Sequence, residues 1–378
     1  MDIKEILNKS KRIVFKIGTN VLTSNKGNLS LSTIYAFIED IAELHEQGKE
    51  IIIVTSGSIG IGKKKLKMFS SLDNIPLKQA CAAVGQGQLM YIYEEGFEKF
   101  DILTAQVLLT EDDFSQRQKY LSLRNTLNEL LKYNVIPIIN QNDTVSTNFT
   151  DPNMIASFGD NDKLSALVAS KLDADLMVIL SDIDGLFDKN PKKNPDAKLI
   201  PLVEEITPEI ESLGFEASEN GRGGMKTKLE AAKVVTHSGH YAMIINGDKN
   251  HIVRETFNGN FAGTLFLPVE NLSGRKRWIA YATNITGGLK VNNGAKKALV
   301  EKFSSLLPIG VISVINRFQS GDVISILDED ENEFARGIVN FSDKDCKKII
   351  GKHSEEIEHI LGTTNYDTVI SRDNIAIL

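Results

Sequence analysis

Short runs of aliphatic and β-branched residues alternate with helical patterns along most of this chain, and this alternation limits the possible folds more than any other feature. An apolar run bounded by turn residues is typical of a strand that is buried on both faces, as strands are in parallel sheets. The sequence therefore predicts an α/β fold, with an open, mainly parallel sheet sandwiched by helices. The predicted strands are 12–17, 50–55, 102–108, 135–139, 176–180 and 241–246.

Helical patterns separate these strands. The predicted helices are 30–47, 76–100, 113–133 and 225–238. Gly48 and Gly239 follow the first and the last of them. Glycine is common directly after a helix because it adopts the left-handed conformation without a steric cost. Repeated strand, helix, strand units place helices on both faces of the sheet.

The pattern changes near residues 272–277, where a basic run precedes Trp278. A chain of 378 residues exceeds the usual size of a single core. We therefore expect two domains, an α/β domain over residues 1–270 and a small β-rich domain over residues 275–378. Strands of the second domain are predicted at 311–315, 322–327, 333–340 and 366–371, with two short helices between them.

Composition and charge exclude several classes of protein. The formal net charge of −7 argues against a nucleic-acid surface along the whole chain. Cys81 and Cys346 form no C-x-x-C motif, so we expect neither a disulfide framework nor a zinc site. Residues 1–12 lack the apolar region of a signal peptide, and no stretch approaches the roughly 18 apolar residues of a membrane span. We therefore expect a cytoplasmic protein with no membrane segment.

Two segments, 16–19 and 221–228, combine lysines with glycines. Glycine lets backbone N–H groups approach a phosphate closely, and lysine ammonium groups offset the phosphate charge. The first segment follows a predicted strand, and ligands of such sheets bind beyond the carboxyl ends of the strands. The two segments therefore predict a phosphoryl-transfer enzyme.

Polar residues also follow three further predicted strands, at 55–57, 140–143 and 181–182. Each group taken alone is explained as an ordinary turn. Their recurrence at the carboxyl ends of several strands instead indicates a binding site along one edge of the sheet.

Two familiar nucleotide motifs fit poorly. Residues 57–64 match G-x-x-x-x-G-K, but Lys64 stands where a P-loop needs a serine or threonine hydroxyl for magnesium. Neither 85–87 nor 221–223 continues to the third glycine of a dinucleotide-binding fingerprint.

The segment 159–162 begins a predicted helix, where one polar residue serves as the cap and the others remain available to a charged substrate or a lysine.

Taken in order, these segments resemble the amino acid kinase family, and the resemblance spans nearly the whole chain. The matching segments are 15–19, 53–57, 83–86, 139–143, 159–162 and 223–228. The tail, with 275–278, 304–308 and 321–324, resembles a PUA domain. The resemblance is strongest to family members that use ATP and Mg²⁺ to phosphorylate the side-chain carboxylate of L-glutamate, the first step of proline biosynthesis. It implies feedback inhibition by proline and a homo-oligomer, either a dimer or a tetramer.

The resemblance also implies roles for individual residues. Lys16 and Lys228 are expected to stabilise the transferring phosphoryl group, and Asp160 is expected to hold the two lysines in place. The expected glutamate-binding residues are Ser56, Asp143 and Asn161. The expected ATP-binding residues are Lys16, Ser181, Asp182, Arg222, Gly223, Gly224, Met225, Lys226, Thr227 and Lys228.

Two alternatives remain open at this point. One is a kinase of the same fold for another small acid, such as aspartate, acetylglutamate or carbamate. The other is an RNA-binding protein with an inactive kinase-like domain, because PUA domains elsewhere bind RNA. Residues 275–378 contain 14 basic and 14 acidic residues, which is weak support for RNA binding. The presence of both Lys16 and Lys228 argues against an inactive site.

Overall fold

The chain divides into two compact units, Met1–Asn271 and Leu272–Leu378. Its computed structural model describes residues 3–23, 29–68, 74–110, 112–115, 117–145, 161–191, 193–214, 224–269, 279–280, 285, 287–362 and 366–378. Each unit is described by itself below.

The first unit contains an eight-stranded sheet and the helices that cover it. Its strands are β1 Arg12–Ile17, β2 Glu50–Val54, β3 Thr104–Leu109, β4 Ile136–Gln141, β5 Leu176–Ser181, β6 Leu202–Val203, β7 Tyr241–Asn246 and β8 Gly263–Phe266. Its helices are α1 Ile3–Lys9, α2 Thr19–Leu22, α3 Leu31–Glu46, α4 Ser58–Lys65, α5 Ile75–Glu98, α6 Asp112–Ser115, α7 Arg117–Lys132, α8 Asn161–Lys171, α9 Pro208–Ser212, α10 Met225–His237 and α11 Ile252–Phe257.

The strand order is β3-β4-β2-β1-β5-β7-β8-β6, and β8 runs antiparallel to β7 while the other neighbouring pairs are parallel. The predicted α/β class with a mainly parallel sheet is therefore confirmed. The central strands are apolar along nearly their whole length because both faces are covered; in β5 every residue is buried. The four strands whose carboxyl ends carry polar residues, β4, β2, β1 and β5, are adjacent in the sheet.

Two helices of the first unit touch each other through their backbones. A Cβ atom on Gly85 of α5 would lie 1.8 Å from the carbonyl oxygen of Ser58, and one on Gly62 of α4 would lie 1.8 Å from that of Cys81. No side chain larger than hydrogen fits at either position without a shift of the helices. The two glycines thus fix the position of α5 against the start of α4, which directly follows β2.

The second unit is β-rich. Its strands are β9 Gly287–Val291, β10 Val311–Asn316, β11 Val323–Leu327, β12 Glu333–Ile338 and β13 Ile375–Ile377, and its helices are α12 Asn293–Lys302, α13 Asp343–Ile349 and α14 Ile357–Leu361. The sheet order is β10-β9-β11-β12-β13, with only β9 and β11 parallel among these pairs. The predicted strand at 366–371 is wrong, since Ile370 makes only an isolated bridge with Leu306 and the last strand follows at β13.

Each unit contains one cysteine, and both cysteines are buried and free. Cys81 lies on α5, where its carbonyl oxygen faces Gly62. Cys346 lies on α13, within the apolar core of the second unit. Burial, with a smaller effect of Asp345, raises the pKa of the Cys346 thiol to about 12.

The glycine contact predicts that Gly85→Ala destabilises the first unit by about 2 kcal/mol, the scale of overpacking in a tight core. Gly87→Ala is the matched control, because Gly87 lies on the same helix and a Cβ atom there would meet nothing within 4 Å. The control should stabilise the helix by about 0.5–1 kcal/mol, the difference in helix propensity. Urea unfolding followed by circular dichroism measures both changes, and equal effects of the two substitutions would contradict the contact.

Candidate functional site

A buried carboxylate joins the two lysines singled out in the sequence. Asp162 lies in the first turn of α8 and is fully buried. One of its oxygens, Oδ1, lies 2.5 Å from the Nζ atom of Lys16, and the other, Oδ2, lies 3.5 Å from the Nζ atom of Lys228. Lys16 is 4% exposed and Lys228 is 7% exposed, so this is an ion cluster with little solvent screening.

The first turn of α10 supplies the rest of this cluster. Thr227 donates a hydrogen bond from Oγ1 to Asp162 Oδ2 at 2.9 Å. The carbonyl oxygen of Gly224 accepts from the Thr227 hydroxyl at 3.0 Å and from Lys228 Nζ at 3.5 Å. Gly224 is the residue before α10, so the start of this helix brings Thr227 and Lys228 to the same carboxylate.

Asp162 is the residue that the sequence analysis missed. The role of holding both lysines was assigned there to Asp160, which lies outside the described residues. The segment 159–162 offers two carboxylates, and no pattern in the sequence distinguishes them. The start of α8 at Asn161 places residue 162 in the first helical turn, and in the described part of the chain its carboxylate contacts both lysines.

Three side-chain amides, those of Asn161, Asn140 and Gln86, lie next to the ion cluster and are called the amide set. Asn161 directly precedes Asp162, and its Nδ2 atom donates to the Thr55 carbonyl, to Ser56 Oγ at 2.9 Å and to Asn140 Oδ1 at 3.0 Å. Asn161 thus ties the end of β2 to the end of β4. Two of the predicted glutamate-binding residues, Ser56 and Asn161, are therefore in direct contact.

The orientation of these amides follows from backbone groups that cannot rotate. The backbone N–H of Gln141 donates to Asn140 Oδ1 at 2.8 Å, so the Nδ2 atom of Asn140 must point the other way. It donates to Gln86 Oε1 at 2.8 Å. Similarly, the Thr55 carbonyl can only accept a hydrogen bond, so the Asn161 atom that faces it must be the donor Nδ2. The remaining polar atom of the Asn161 side chain is its oxygen, which can only accept a hydrogen bond.

Glycine shapes the loop that carries Ser56. Gly57 has φ of +95° and precedes α4, so it supplies a left-handed turn that other residues adopt only at a cost. After Gly57, the G-x-x-x-x-G-K segment forms helix α4. Gly62, the second glycine of the motif, packs against α5. The structure thus gives Gly62 a packing role in this segment.

The predicted nucleotide-binding residues Ser181 and Asp182 lie at the end of β5, beside β1. Ser181 is buried and Asp182 is exposed, and Asp182 accepts a hydrogen bond from Asn20 Nδ2 at 3.3 Å. Desolvation and the neighbouring Asp182 carboxylate raise the pKa of Asp248. This end of the site therefore presents carboxylates.

A third acidic residue there, Asp184, is paired with a lysine of the protein. Asp184 accepts from Lys249 at 2.6 Å and from Asn246 Nδ2 at 2.8 Å. These hydrogen bonds, that of Lys249 first, hold the pKa of Asp184 below its usual range. Asp184 therefore remains ionised and paired.

The other predicted site residues are placed as follows. Asp143 follows β4 and is partly buried, and its backbone N–H donates to the Gln141 carbonyl. Met225 is buried and Lys226 is exposed on the first turn of α10. Arg222 and Gly223 lie outside the described residues, as Asp160 does.

Comparison with known proteins gives a consistent result over both units. The sequence model of the amino acid kinase family matches residues 11–246, and that of the PUA domain matches residues 287–361. Glutamate 5-kinase of Caldanaerobacter subterraneus subsp. tengcongensis is 45% identical over 97% of this chain and 98% of its own. Glutamate 5-kinase of Methanosarcina barkeri is 47% identical over 100% of this chain and 99% of its own. That of Geobacter sulfurreducens is 45% identical over 99% of each chain.

None of these matches favours the alternative of an RNA-binding protein with an inactive kinase-like domain. Among the described residues, no helix combines the length and the apolar character that a membrane span requires.

The ion cluster predicts that Asp162→Asn destabilises the first unit by about 3 kcal/mol, because two nearly buried ammonium groups lose their counter-charge. Asp173→Asn is the matched control, since Asp173 pairs with Arg124 at the surface. Surface ion pairs contribute about 0–1 kcal/mol, so the control should change stability little. Urea unfolding at neutral pH measures both values, and similar losses in the two variants would show that the cluster is not a buried charge centre.

Proposed function

We propose that this chain, which belongs to the amino acid kinase family, transfers the terminal phosphoryl group of ATP to the side-chain carboxylate of L-glutamate. The product is L-glutamyl 5-phosphate, and the reaction is the first step of proline biosynthesis. The observation that carries this proposal is the pair of nearly buried lysines, Lys16 and Lys228, held by one carboxylate at the carboxyl end of the sheet. The names of its relatives, each a glutamate 5-kinase, support the choice of substrate.

The charge of the cluster suits the transfer of a phosphoryl group between two anions. Two ammonium groups and one carboxylate leave one net positive charge in a site with little solvent. Bringing a carboxylate to a polyphosphate is opposed by repulsion, and preorganised positive charge offsets it. Asp162 keeps both lysines in place without removing that charge.

The chemical step needs no general base. The glutamate side-chain carboxyl has an ordinary pKa of about 4.3 and is ionised at neutral pH. One of its oxygens attacks the γ-phosphorus of ATP, a new phosphorus–oxygen bond forms, and the bond from that phosphorus to the β,γ-bridging oxygen breaks. ADP leaves with the electron pair of the broken bond. Lys16 and Lys228 stabilise the negative charge on the transferring group.

The amide set suits the amino-acid end of the substrate. Asn161 has an oxygen as its remaining polar atom, and Asp143 supplies a carboxylate near the end of β4. Both are acceptors, and an α-ammonium group donates three hydrogen bonds. We therefore assign Asn161 and Asp143 to the α-amino group, with Ser56 as a further contact to glutamate.

ATP and Mg²⁺ complete the proposed site. We assign ATP to Ser181, Asp182 and residues 222–228, together with Lys16. In the described ranges, no three His, Cys, Asp or Glu side chains converge as a metal site, so we propose that Mg²⁺ arrives on the phosphates of ATP. When bound there, it neutralises phosphate charge and orients the leaving group.

Three further assignments rest on the family resemblance alone. We propose that proline inhibits the enzyme by competing for the glutamate pocket. We also propose that the chain forms a homo-oligomer and works in the cytoplasm.

The assay that tests the proposal uses hydroxylamine to trap an acyl phosphate in the presence of ATP and Mg²⁺. Glutamate, aspartate and acetylglutamate are offered separately, each with and without proline. We expect hydroxamate from glutamate only, and less of it when proline is present. Hydroxamate from another acid would reassign the substrate, and none from any acid with folded protein would refute the kinase assignment.

Removal of one lysine should then reduce turnover. Lys228→Ala is expected to lower kcat by at least about a hundredfold, the scale found when one preorganised charge-stabilising group is lost. Lys233→Ala is the control, because Lys233 lies on the same helix and pairs at the surface with Glu211. If Lys228→Ala turned over as fast as the control, the ion cluster would not be the catalytic centre.

A further inference from the structure

Gln86 lies at the inner end of the amide set and has no role so far. It belongs to the segment 83–86, which the sequence analysis singled out, and follows Gly85 on α5. Gln86 is buried, with 8% of the residue exposed. Its Oε1 atom accepts from Asn140, whereas its Nε2 atom is buried and has no hydrogen-bond partner among the described residues.

We propose that Gln86 is a positioning residue that sets the affinity of the site for its amino-acid substrate. It acts through Asn140, which it holds, together with the backbone N–H of Gln141, in the orientation that accepts from Asn161. The hydrogen bonds described for it lead through Asn140 to Asn161, at the amino-acid end of the site. This inference rests on the proposed function and names a determinant of substrate binding within that site.

From Asn161 to Gln86, each side-chain amide donates a hydrogen bond to the next one. Asn161 donates to Asn140 Oδ1, and Asn140 donates to Gln86 Oε1. Asn140 is 1% exposed, so its N–H group has no access to bulk water if Gln86 loses its oxygen. With this N–H group unpaired, only the backbone N–H of Gln141 opposes rotation of the Asn140 amide, a rotation that would turn an N–H group towards Asn161 in place of an oxygen.

Asn140 is also the last but one residue of β4, the strand that leads to Asp143, the second acceptor assigned to the substrate ammonium. It is followed by Gln141, whose N–H shares the same oxygen, and Asp143 lies two residues further on. Gln86 is therefore linked to both groups assigned to the substrate ammonium through Asn140, which accepts a hydrogen bond from Asn161 and lies three residues before Asp143.

Packing alone does not explain the choice of side chain at position 86. A buried glutamine has two polar atoms that need hydrogen-bond partners, whereas an apolar side chain of the same length needs none. The backbone contact of Gly85 with Ser58 fixes the neighbouring residue firmly against the start of α4. A glutamine at this buried position, with its oxygen on Asn140, points to a function of that oxygen atom.

The test replaces Gln86 by methionine, which keeps the length and removes both polar atoms. Gln86→Met is expected to raise the KM for glutamate at least about tenfold, the loss of one buried hydrogen bond of about 1.4 kcal/mol. The KM for ATP should change less than about twofold and kcat less than about threefold, as for a group that affects one substrate. Gln88→Met is the control, because Gln88 lies on the same helix and contacts only Lys65 among its described hydrogen bonds.

The readouts separate this inference from the proposed function. Wild-type protein without glutamate kinase activity would refute the function itself. Active wild-type protein with an unchanged glutamate KM in Gln86→Met would refute only the role of Gln86, as would equal increases in both KM values. If Gln86→Met does not fold, Gln86→Leu is measured in the same way.

A double-mutant cycle tests the path through the amides. Glutamate binding is measured by its effect on thermal unfolding, which does not depend on turnover. In a chain that already carries Asn161→Ala, Gln86→Met should weaken glutamate binding less than about threefold, because the coupled group is gone. The same tenfold loss in both backgrounds would show that Gln86 does not act through Asn161.

Discussion

The buried carboxylate of Asp162 allows the first unit to hold two lysines away from solvent. Asp162 lies between two lysines that come from the sheet and from a helix distant in sequence, and isolated ammonium groups in that environment would be strongly unfavourable. The carboxylate makes their burial possible and still leaves an excess of positive charge. The position of β1, α8 and α10 relative to one another is therefore tied to the charge that the proposed reaction needs.

The sheet was predictable because its central strands have a simple pattern. Strands β1 and β7 match their predicted bounds at both ends, since both lie inside the sheet and are mostly apolar. Strand β9 was missed because it begins with two glycines, and the reason for them is tertiary: a Cβ atom on Gly287 would lie 2.7 Å from the carbonyl oxygen of Ile315 on the neighbouring strand. Such contacts between distant segments leave no local signal.

In the site, too, features of a single segment could be predicted from the sequence, whereas contacts between distant segments could not. Lysines beside glycines at strand ends pointed to phosphate, and Ser56 and Asn161 proved to be in contact. Asp162 was missed because the choice between two carboxylates depends on where a helix begins. The sequence analysis singled out the segments that contain Gln86, Asn140 and Asn161, but not the hydrogen bonds between them, since the three residues lie on three separate elements.

The placement of the two cysteines gives the chain an internal reporter. Cys81 lies in the first unit and Cys346 in the second, and both are shielded from solvent in the folded protein. A thiol must be exposed and ionised to react, so an alkylating reagent reaches each one only after its own unit opens. Peptide mapping after timed labelling would then distinguish the opening of one unit from that of the other, without any substitution in the chain.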